Sequence, residues 1–542
     1  MTTTIEEDKR ALREKWYEEG YFGAATLADR MAEGAQTYPD ARMIFASAAR
    51  PHAATLAEMY VRSAAVARGL WALGLRPGDA LAVQVPNWVE GALAYQAAFQ
   101  IGVIVVPIIH IYGPAEVGFI LRQSKAKALI VPDRWRTIDY LERVEAVGVV
   151  DSLEHLIVIG DRRPAGAHDW QSLEDRGAAP VPFDSLHVAS DDPCLLLYTS
   201  GTTAEPKGVL HSHNTLIAEV DSVTGLLGRG PGAVSLAAFP AGHIGGVLNV
   251  LRMFVTGSSF VLLDQWDPVV AAAMVEEHKI KHSAGAPFFL QSLMEAARTH
   301  GNDLSSFSGF MVGAASVPAS LVEEAERFGL PTYRAYGSTE HPVLTTGLPS
   351  DPLEKRATTD GRATAGNEIR ILDDDGRDLP TGEEGEIVCR GPEQFLRYTN
   401  PEHEADAFLP GAWFQTGDIG RMDEEGFLTI TDRKKDIIIR GGENIASKEV
   451  EDILARHPAV VESAVVGVAD VRYGERVYAF ILIRPGTELD LGAVQRHFVA
   501  EGVARQKTPE FIEIVDALPR GMSGKVKKFE LRQQLRDRPA GL

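Results

Sequence analysis

The sequence predicts an α/β protein. It should have a large N-terminal domain, made of two doubly wound α/β subdomains and a small β-barrel, and a separate α+β C-terminal domain. Three observations predict this. Helical and strand-like runs alternate through two long stretches. After Thr358 the texture changes to short strands broken by turns. A chain of 542 residues also exceeds what one hydrophobic core supports, so two to four domains are expected.

In order, helical patterning opens the chain at 6–19 and 27–33. An amphipathic run at 56–73 stops at Gly74, and the Pro77-Gly78-Asp79 turn leads into the apolar stretch 80–85, which reads as a buried parallel strand. Helix 90–100 then precedes strand 103–107, and helix 114–124 precedes strand 128–131. From Val234 the pattern resumes with 251–257, the strand 259–263, helix 268–278 and strand 281–284. Segments 368–372, 385–390 and 426–431, with an Asp373-Asp374-Asp375-Gly376 turn, form the antiparallel or barrel unit. The tail, with runs at 449–457, 464–468, 477–483, 491–501 and 511–515, reads as a compact α+β domain. The boundary is placed near Asp432, giving domains 1–432 and 433–542.

Bulk properties exclude several classes of function. A net charge of −21 repels nucleic acid and anionic membranes. Cys194 and Cys389 are too few and too far apart for a disulfide framework or a CxxC metal site, which suits a reducing cytoplasm. The first residues mix acids and bases without an apolar core, so no signal peptide is expected. The longest apolar run, 101–109, contains Pro107 and is too short for an integral membrane span. A soluble cytoplasmic protein follows.

The strongest chemical feature is Tyr198-Thr-Ser-Gly-Thr-Thr-Ala-Glu-Pro-Lys207-Gly208, after the apolar stretch 194–197. Hydroxyls, glycines and a lysine make a loop whose N–H and O–H groups can converge on phosphate oxygens, although the Walker A spacing is absent. Alone it could be a surface turn. Downstream come Tyr336-Gly-Ser-Thr-Glu340, Trp413-Phe-Gln-Thr-Gly-Asp418, Asp432-Arg-Lys-Lys-Asp436, Arg440-Gly-Gly-Glu-Asn444 and Pro519-Arg-Gly-Met-Ser-Gly-Lys525. Singly, Asp418 could be a turn residue, Glu340 a solvated acid, Tyr336 core packing and 433–435 a solvated charge run.

Taken in this order, the motifs resemble the adenylate-forming superfamily: acyl-CoA synthetases, peptide-synthetase adenylation domains and firefly luciferase. The resemblance runs from about Leu27 to Leu531. It implies an ATP-dependent acyl-CoA ligase acting on a small-molecule carboxylic acid, with ATP, Mg²⁺ and coenzyme A. Thr199, Ser200, Gly201, Thr202, Thr203 and Lys207 would hold the β- and γ-phosphates. Tyr336 would stack on adenine, with the backbone of Gly313, Ala314 and Ala315 on the other face and Gly337 and Ser338 beside it. Thr339 would bond the α-phosphate, and Glu340 would bind Mg²⁺. Asp418 would accept from the ribose hydroxyls, with Arg433 nearby.

The resemblance also implies a mobile C-terminal domain. Lys525, flanked by Gly521 and Gly524 in a mobile hairpin-like loop, would bridge the substrate carboxylate and the α-phosphate. Rotation about Asp432 would then withdraw it and bring Gly441 and Gly442 against the pantetheine arm; those glycines could equally be a tight turn. Phe239-Pro240-Ala-Gly-His243-Ile244-Gly245-Gly246 resembles the segment lining the acyl pocket, with His243 at its gate. His211 and His213 could be imagined as metal ligands, but a helix capped by Ser212 or Asn214 is the better reading.

Segment 435–460 resembles hydroxybenzoate- and alicyclic-acid-activating ligases. Hydroxybenzoate enzymes carry Asn after the gate histidine; Ile244 here cannot satisfy a phenol, so a medium or longer fatty acid or an alicyclic acid is expected. The alternatives are an enzyme that loads an acyl or aryl group onto a carrier protein, a non-catalytic relative, and, remotely, a luciferase-like oxygenase. Ser338, His341 and Ala446-Ser447 depart from the usual family pattern. A homodimer stays open.

Overall fold

The computed structural model describes residues 2–175, 186–199, 206–227, 230–405, 407–434, 436–440, 443–470, 473–501, 505–521 and 524–538. Among these, the strands form sheets of nine, eight, five and five strands and one two-stranded ribbon.

The eight-stranded sheet is built mainly from the first alternating stretch. Strands Ile104–Pro107, Ala80–Val83, Ala128–Pro132 and His155–Ile159 lie side by side and parallel. Ala80–Val83 and Ala128–Pro132 are buried along their whole length, as expected of parallel strands covered on both faces. Helix Leu56–Ala72 starts where Thr55 and Glu58 form a reciprocal capping box and ends before Gly74. The hairpin Pro193–Thr199/Lys207–Ser212 extends the sheet, pairing Thr199 with Lys207 at the mouth of the hydroxyl-rich loop.

The nine-stranded sheet has six consecutive parallel strands: Arg42–Ala46, Ser259–Leu263, Val234–Ala237, His282–Gly285, Gly309–Val312 and Thr332–Tyr336. From Val234–Ala237 the chain pairs first to one side with Ser259–Leu263 and then to the other with His282–Gly285. Strand order therefore reverses at Val234–Ala237, and such a switch point opens a crevice at the carboxyl ends of the strands. The segments after Ala237, Gly285, Val312 and Tyr336 all leave the sheet at this end.

Beyond them, Glu368–Leu372, Gly385–Arg390, Trp413–Met422, Phe408–Leu409 and Leu428–Arg433 form a five-stranded antiparallel sheet. Among the described residues these pairings form an open path, and the small barrel expected here is not shown by them. The tail carries its own sheet, dominated by the Val460–Asp470/Gly474–Ile483 pair, with a separate core around Val450, Val465, Ile481 and Phe498. Cys194 and Cys389 are both free and buried. No helix among the described residues is long and apolar enough to cross a membrane.

Candidate active site

Neighbouring carboxyl ends carry nine of the predicted residues, His243, Gly313–Ala315 and Tyr336–Glu340. Gly313, after Gly309–Val312, lies against Ala335, whose carbonyl a Cβ at residue 313 would meet at 2.5 Å. Ala314 follows with a left-handed φ of 63°, a strained backbone for a residue with a side chain and one that persists only where its surroundings impose it. Tyr336 ends the adjacent strand. Its hydroxyl donates to Asp418 Oδ2 at 2.7 Å, while Arg433 Nε forms an ion pair with Asp418 Oδ1 at 2.8 Å. Burial, then the Asp418 charge, raises the Tyr336 phenol well above its ordinary value. Each Asp418 oxygen keeps a further lone pair with which to accept from a ribose hydroxyl.

The Gly337–Glu340 turn is fastened from three sides. Ser338 N–H donates to the His341 carbonyl at 2.9 Å, and His341 N–H donates to Ser338 Oγ at 3.2 Å. His211, on the Lys207–Ser212 strand, donates from Nε2 to the Thr339 carbonyl at 2.8 Å. Burial lowers the His211 pKa to about 4, so it stays neutral, and with Nδ1 also 3.1 Å from Thr215 Oγ1 both ring nitrogens are engaged and it acts as a fastener. Ser212, not Asn214, caps the helix that follows, its Oγ accepting from Thr215 N–H at 3.2 Å.

Tyr398 was not singled out by the sequence. It sits on the Arg397–Tyr398 strand, which pairs with Lys207–Ser212 from nearly two hundred residues away. Its hydroxyl donates to Glu340 Oε1 at 2.7 Å, and its ring centroid is 5.0 Å from the Lys207 ammonium. One side chain thus spans the lysine and the carboxylate to which phosphate and metal roles are attached. Burial, followed by the Glu340 charge, raises its phenol pKa, so the hydroxyl stays a donor.

His243 is the N-cap of helix Ile244–Thr256, and its Nδ1 accepts from Gly245 N–H at 3.1 Å. The remaining ring proton is therefore on Nε2. Burial, and after it the charge of Lys525, lowers the His243 pKa to about 4. The imidazole stacks on Phe239 with centroids 5.2 Å apart, and Phe239 meets Phe289 edge-on at 5.8 Å. Asn87, from the other subdomain, holds this segment by donating to the Phe239 carbonyl at 3.1 Å and accepting from Ala241 N–H at 2.7 Å. The helix begins earlier than the expected 251, because Gly246 packs on the Pro240 carbonyl where no Cβ would fit.

The C-terminal domain reaches this crevice. An Arg520–Val526 bridge, with Gly521 N–H donating to the Lys525 carbonyl at 2.7 Å, shapes the Lys525 segment as a hairpin. Gly524, at φ 80°, lies against Ala286, its Cβ position 3.2 Å from the Ala286 Cβ. The predicted residues Ser200, Gly201, Thr202, Thr203, Gly441 and Gly442 lie outside the described residues.

No group of three or more His, Cys, Asp or Glu among the described residues could hold a metal. A lone carboxylate, Glu340, instead suits an ion whose other ligands are phosphate oxygens and water, as Mg²⁺ prefers.

Comparison with known proteins gives the family. The family model "AMP-binding enzyme" matches residues 31–399, and its C-terminal domain model matches 449–525. The medium-chain fatty-acid–CoA ligase of Escherichia coli strain K12 is 34% identical over 546 residues, covering 99% of this chain and 94% of that protein. Among solved structures, the anthranilate CoA ligase AuaEII in complex with anthranoyl-AMP superposes with a TM-score of 0.86 at 25% identity, covering 95% of this chain and 98% of that one. ATP-bound MatB from Rhodopseudomonas palustris gives 0.83 at 27% identity, covering 94% and 99%. The chain belongs to the AMP-binding, adenylate-forming enzyme family, within which it is an AMP-forming acid–thiol ligase of the acyl-CoA synthetase type.

Proposed function

We propose that the enzyme activates an apolar carboxylic acid, a medium- or longer-chain fatty acid or an alicyclic acid, with ATP and passes the acyl group from acyl-adenylate to coenzyme A, releasing pyrophosphate and AMP. The observation that carries this is the buried aromatic pair Phe239 and Phe289, with His243 stacked on Phe239 and carrying its fixed Nε2–H, and buried Ile244 next in the chain. Phe239, Ile244 and Phe289 themselves carry no hydroxyl or amide with which to bond a polar acyl group. The 34% identity to a medium-chain fatty-acid–CoA ligase supports the same choice.

In the first step the carboxylate attacks the α-phosphate and pyrophosphate leaves. Lys525 places a cation where two anions must meet, and Lys207 faces the departing phosphates. Tyr336 and Ala314 border the adenine, Asp418 and Arg433 hold the ribose, and Thr339 and Glu340 face the α-phosphate. Bound at Glu340 with the nucleotide, Mg²⁺ would neutralise phosphate charge. Neutral His243 orients the carboxylate without adding a charge. For the second step the lid, pivoting near Asp432, withdraws Lys525 and opens a path for the thiol.

A screen of carboxylic acids by pyrophosphate release, with and without coenzyme A, tests this. Octanoate and cyclohexanecarboxylate should outperform 4-hydroxybenzoate, with acyl-CoA as product. A preference for the hydroxylated acid, or transfer only to a pantetheinylated carrier protein, would refute it.

A further inference from the structure

Two adjacent side chains at the end of strand Leu428–Arg433 hold different bodies. Arg433 binds Asp418 of the antiparallel sheet at 2.8 Å. Asp432, 5% exposed, turns the other way: Oδ2 accepts from Ser447 N–H at 2.5 Å and Oδ1 from Ser447 Oγ at 3.1 Å. Helix Ser447–Ala455 has Ala446 at its N-cap and no side-chain cap of its own, so Asp432 supplies an anionic cap from outside the helix.

The contact continues inward. Lys528 Nζ donates to Ser447 Oγ at 2.7 Å and pairs with Glu451 at 2.8 Å; Glu451 also accepts from Val465 N–H at 2.7 Å. Burial opposes the charge of Lys528, but Glu451, Asp436 and Asp432 outweigh it and hold its ammonium above the ordinary lysine value. Lys528 opens helix Lys528–Arg536, and one turn along that helix Arg532 pairs with Asp436 at 2.6 Å.

Lys528 lies three residues beyond Lys525. Between them Lys527 N–H donates to the Pro519 carbonyl at 2.8 Å, closing the base of the hairpin that carries Lys525. A bonded chain therefore runs from Asp418 through Arg433 and Asp432 to Ser447 and Lys528, and ends at the foot of the Lys525 hairpin.

We propose that Lys528 is a positioning residue for adenylation: anchored on Ser447 and Glu451 and, through Ser447, on Asp432, it sets the height of the Lys525 hairpin over the crevice. The proposal rests on the reading of Lys525 as the adenylating lysine. Repacking this cluster shifts Lys525 relative to the α-phosphate, and a displacement near 1 Å at a reacting centre can cost about a hundredfold in rate.

The test uses the full chain and both half-reactions: pyrophosphate release from ATP, Mg²⁺ and octanoate without coenzyme A, and octanoyl-CoA formation from synthetic octanoyl-adenylate. Lys528→Met should lose about a hundredfold in kcat for the first, with KM for ATP unchanged, and keep the second. Lys528→Arg should restore the first. Ser447→Ala, which removes only the relay hydroxyl, should move in the same direction and answers the question if Lys528→Met fails to fold. Wild-type adenylation in these variants, or equal loss of both half-reactions, overturns the proposal. Lys525→Ala, run in parallel, separates the two ideas: if it adenylates normally, the reading of Lys525 itself is wrong.

Discussion

Tyr398 offers the most informative single-atom perturbation. Its hydroxyl donates to Glu340 Oε1 at 2.7 Å, and its ring lies 5.0 Å from the Lys207 ammonium. Tyr398→Phe deletes the first contact and keeps the second; Tyr398→Leu deletes both. A hydrogen bond to a charged group contributes about 1.5–3 kcal/mol. Losing it frees Glu340 from its fixed orientation, and on the proposed role of Glu340 kcat/KM for ATP should fall by about ten- to a hundredfold. The cation–π contact adds about 0.5–1 kcal/mol, a further two- to fivefold in the leucine variant. Pyrophosphate release titrated against Mg²⁺ at fixed octanoate gives the answer. Half-maximal Mg²⁺ should rise in both variants, while KM for octanoate stays put. A phenylalanine variant indistinguishable from wild type in rate and Mg²⁺ dependence would refute the bridging role of Tyr398.

Other expectations follow from the same geometry. Lys525→Ala should lose on the order of a hundredfold or more in adenylation yet still convert synthetic acyl-adenylate to acyl-CoA, as read in separate half-reaction assays. Gly246→Ala places a methyl inside contact distance of the Pro240 carbonyl and should destabilise the fold by about 1–3 kcal/mol, seen as a lower denaturation midpoint. Burial lowers His211, His213 and His341 to about 4 from an ordinary 6.5. The unfolded chain therefore binds protons at these histidines first as pH falls, so their contribution to stability is full above about pH 6.5 and declines towards pH 4, by about 2 kcal/mol per histidine at pH 5, only partly offset by Glu393, whose carboxyl burial raises to about 8. Urea midpoints that stay constant from pH 7 to pH 5 would contradict this.

Much of the arrangement was legible because its signals are local. The stop at Gly74 and the all-apolar run Ala80–Val83 each mark an element within a few residues. The order of the Lys207, Tyr336, Asp418 and Lys525 motifs identified the chemistry before any geometry did. Relations between distant segments were hidden. Nothing around Arg397 or Tyr398 marks a strand that would pair with Lys207–Ser212. Strand Arg42–Ala46 precedes the first alternating stretch, yet pairs with Ser259–Leu263 in the other sheet. Local alternation announced antiparallel strands after Thr358 but carried no information about barrel closure. The start of helix Ile244–Thr256 was obscured because Pro240 and the two glycines read as a turn, whereas Gly246 is there for a close approach to the Pro240 carbonyl. Asp432 was read as a pivot from its motif; its cap on Ser447 depends on tertiary contact.

The central claim is that the substrate carboxylate itself attacks the α-phosphate of ATP under Lys525. Octanoate labelled with ¹⁸O in its carboxylate, turned over with ATP, Mg²⁺ and coenzyme A, tests it most directly. Mass spectrometry should find one labelled oxygen in AMP and none in pyrophosphate. Label in inorganic phosphate with ADP as the nucleotide product, or AMP free of label, would contradict the account.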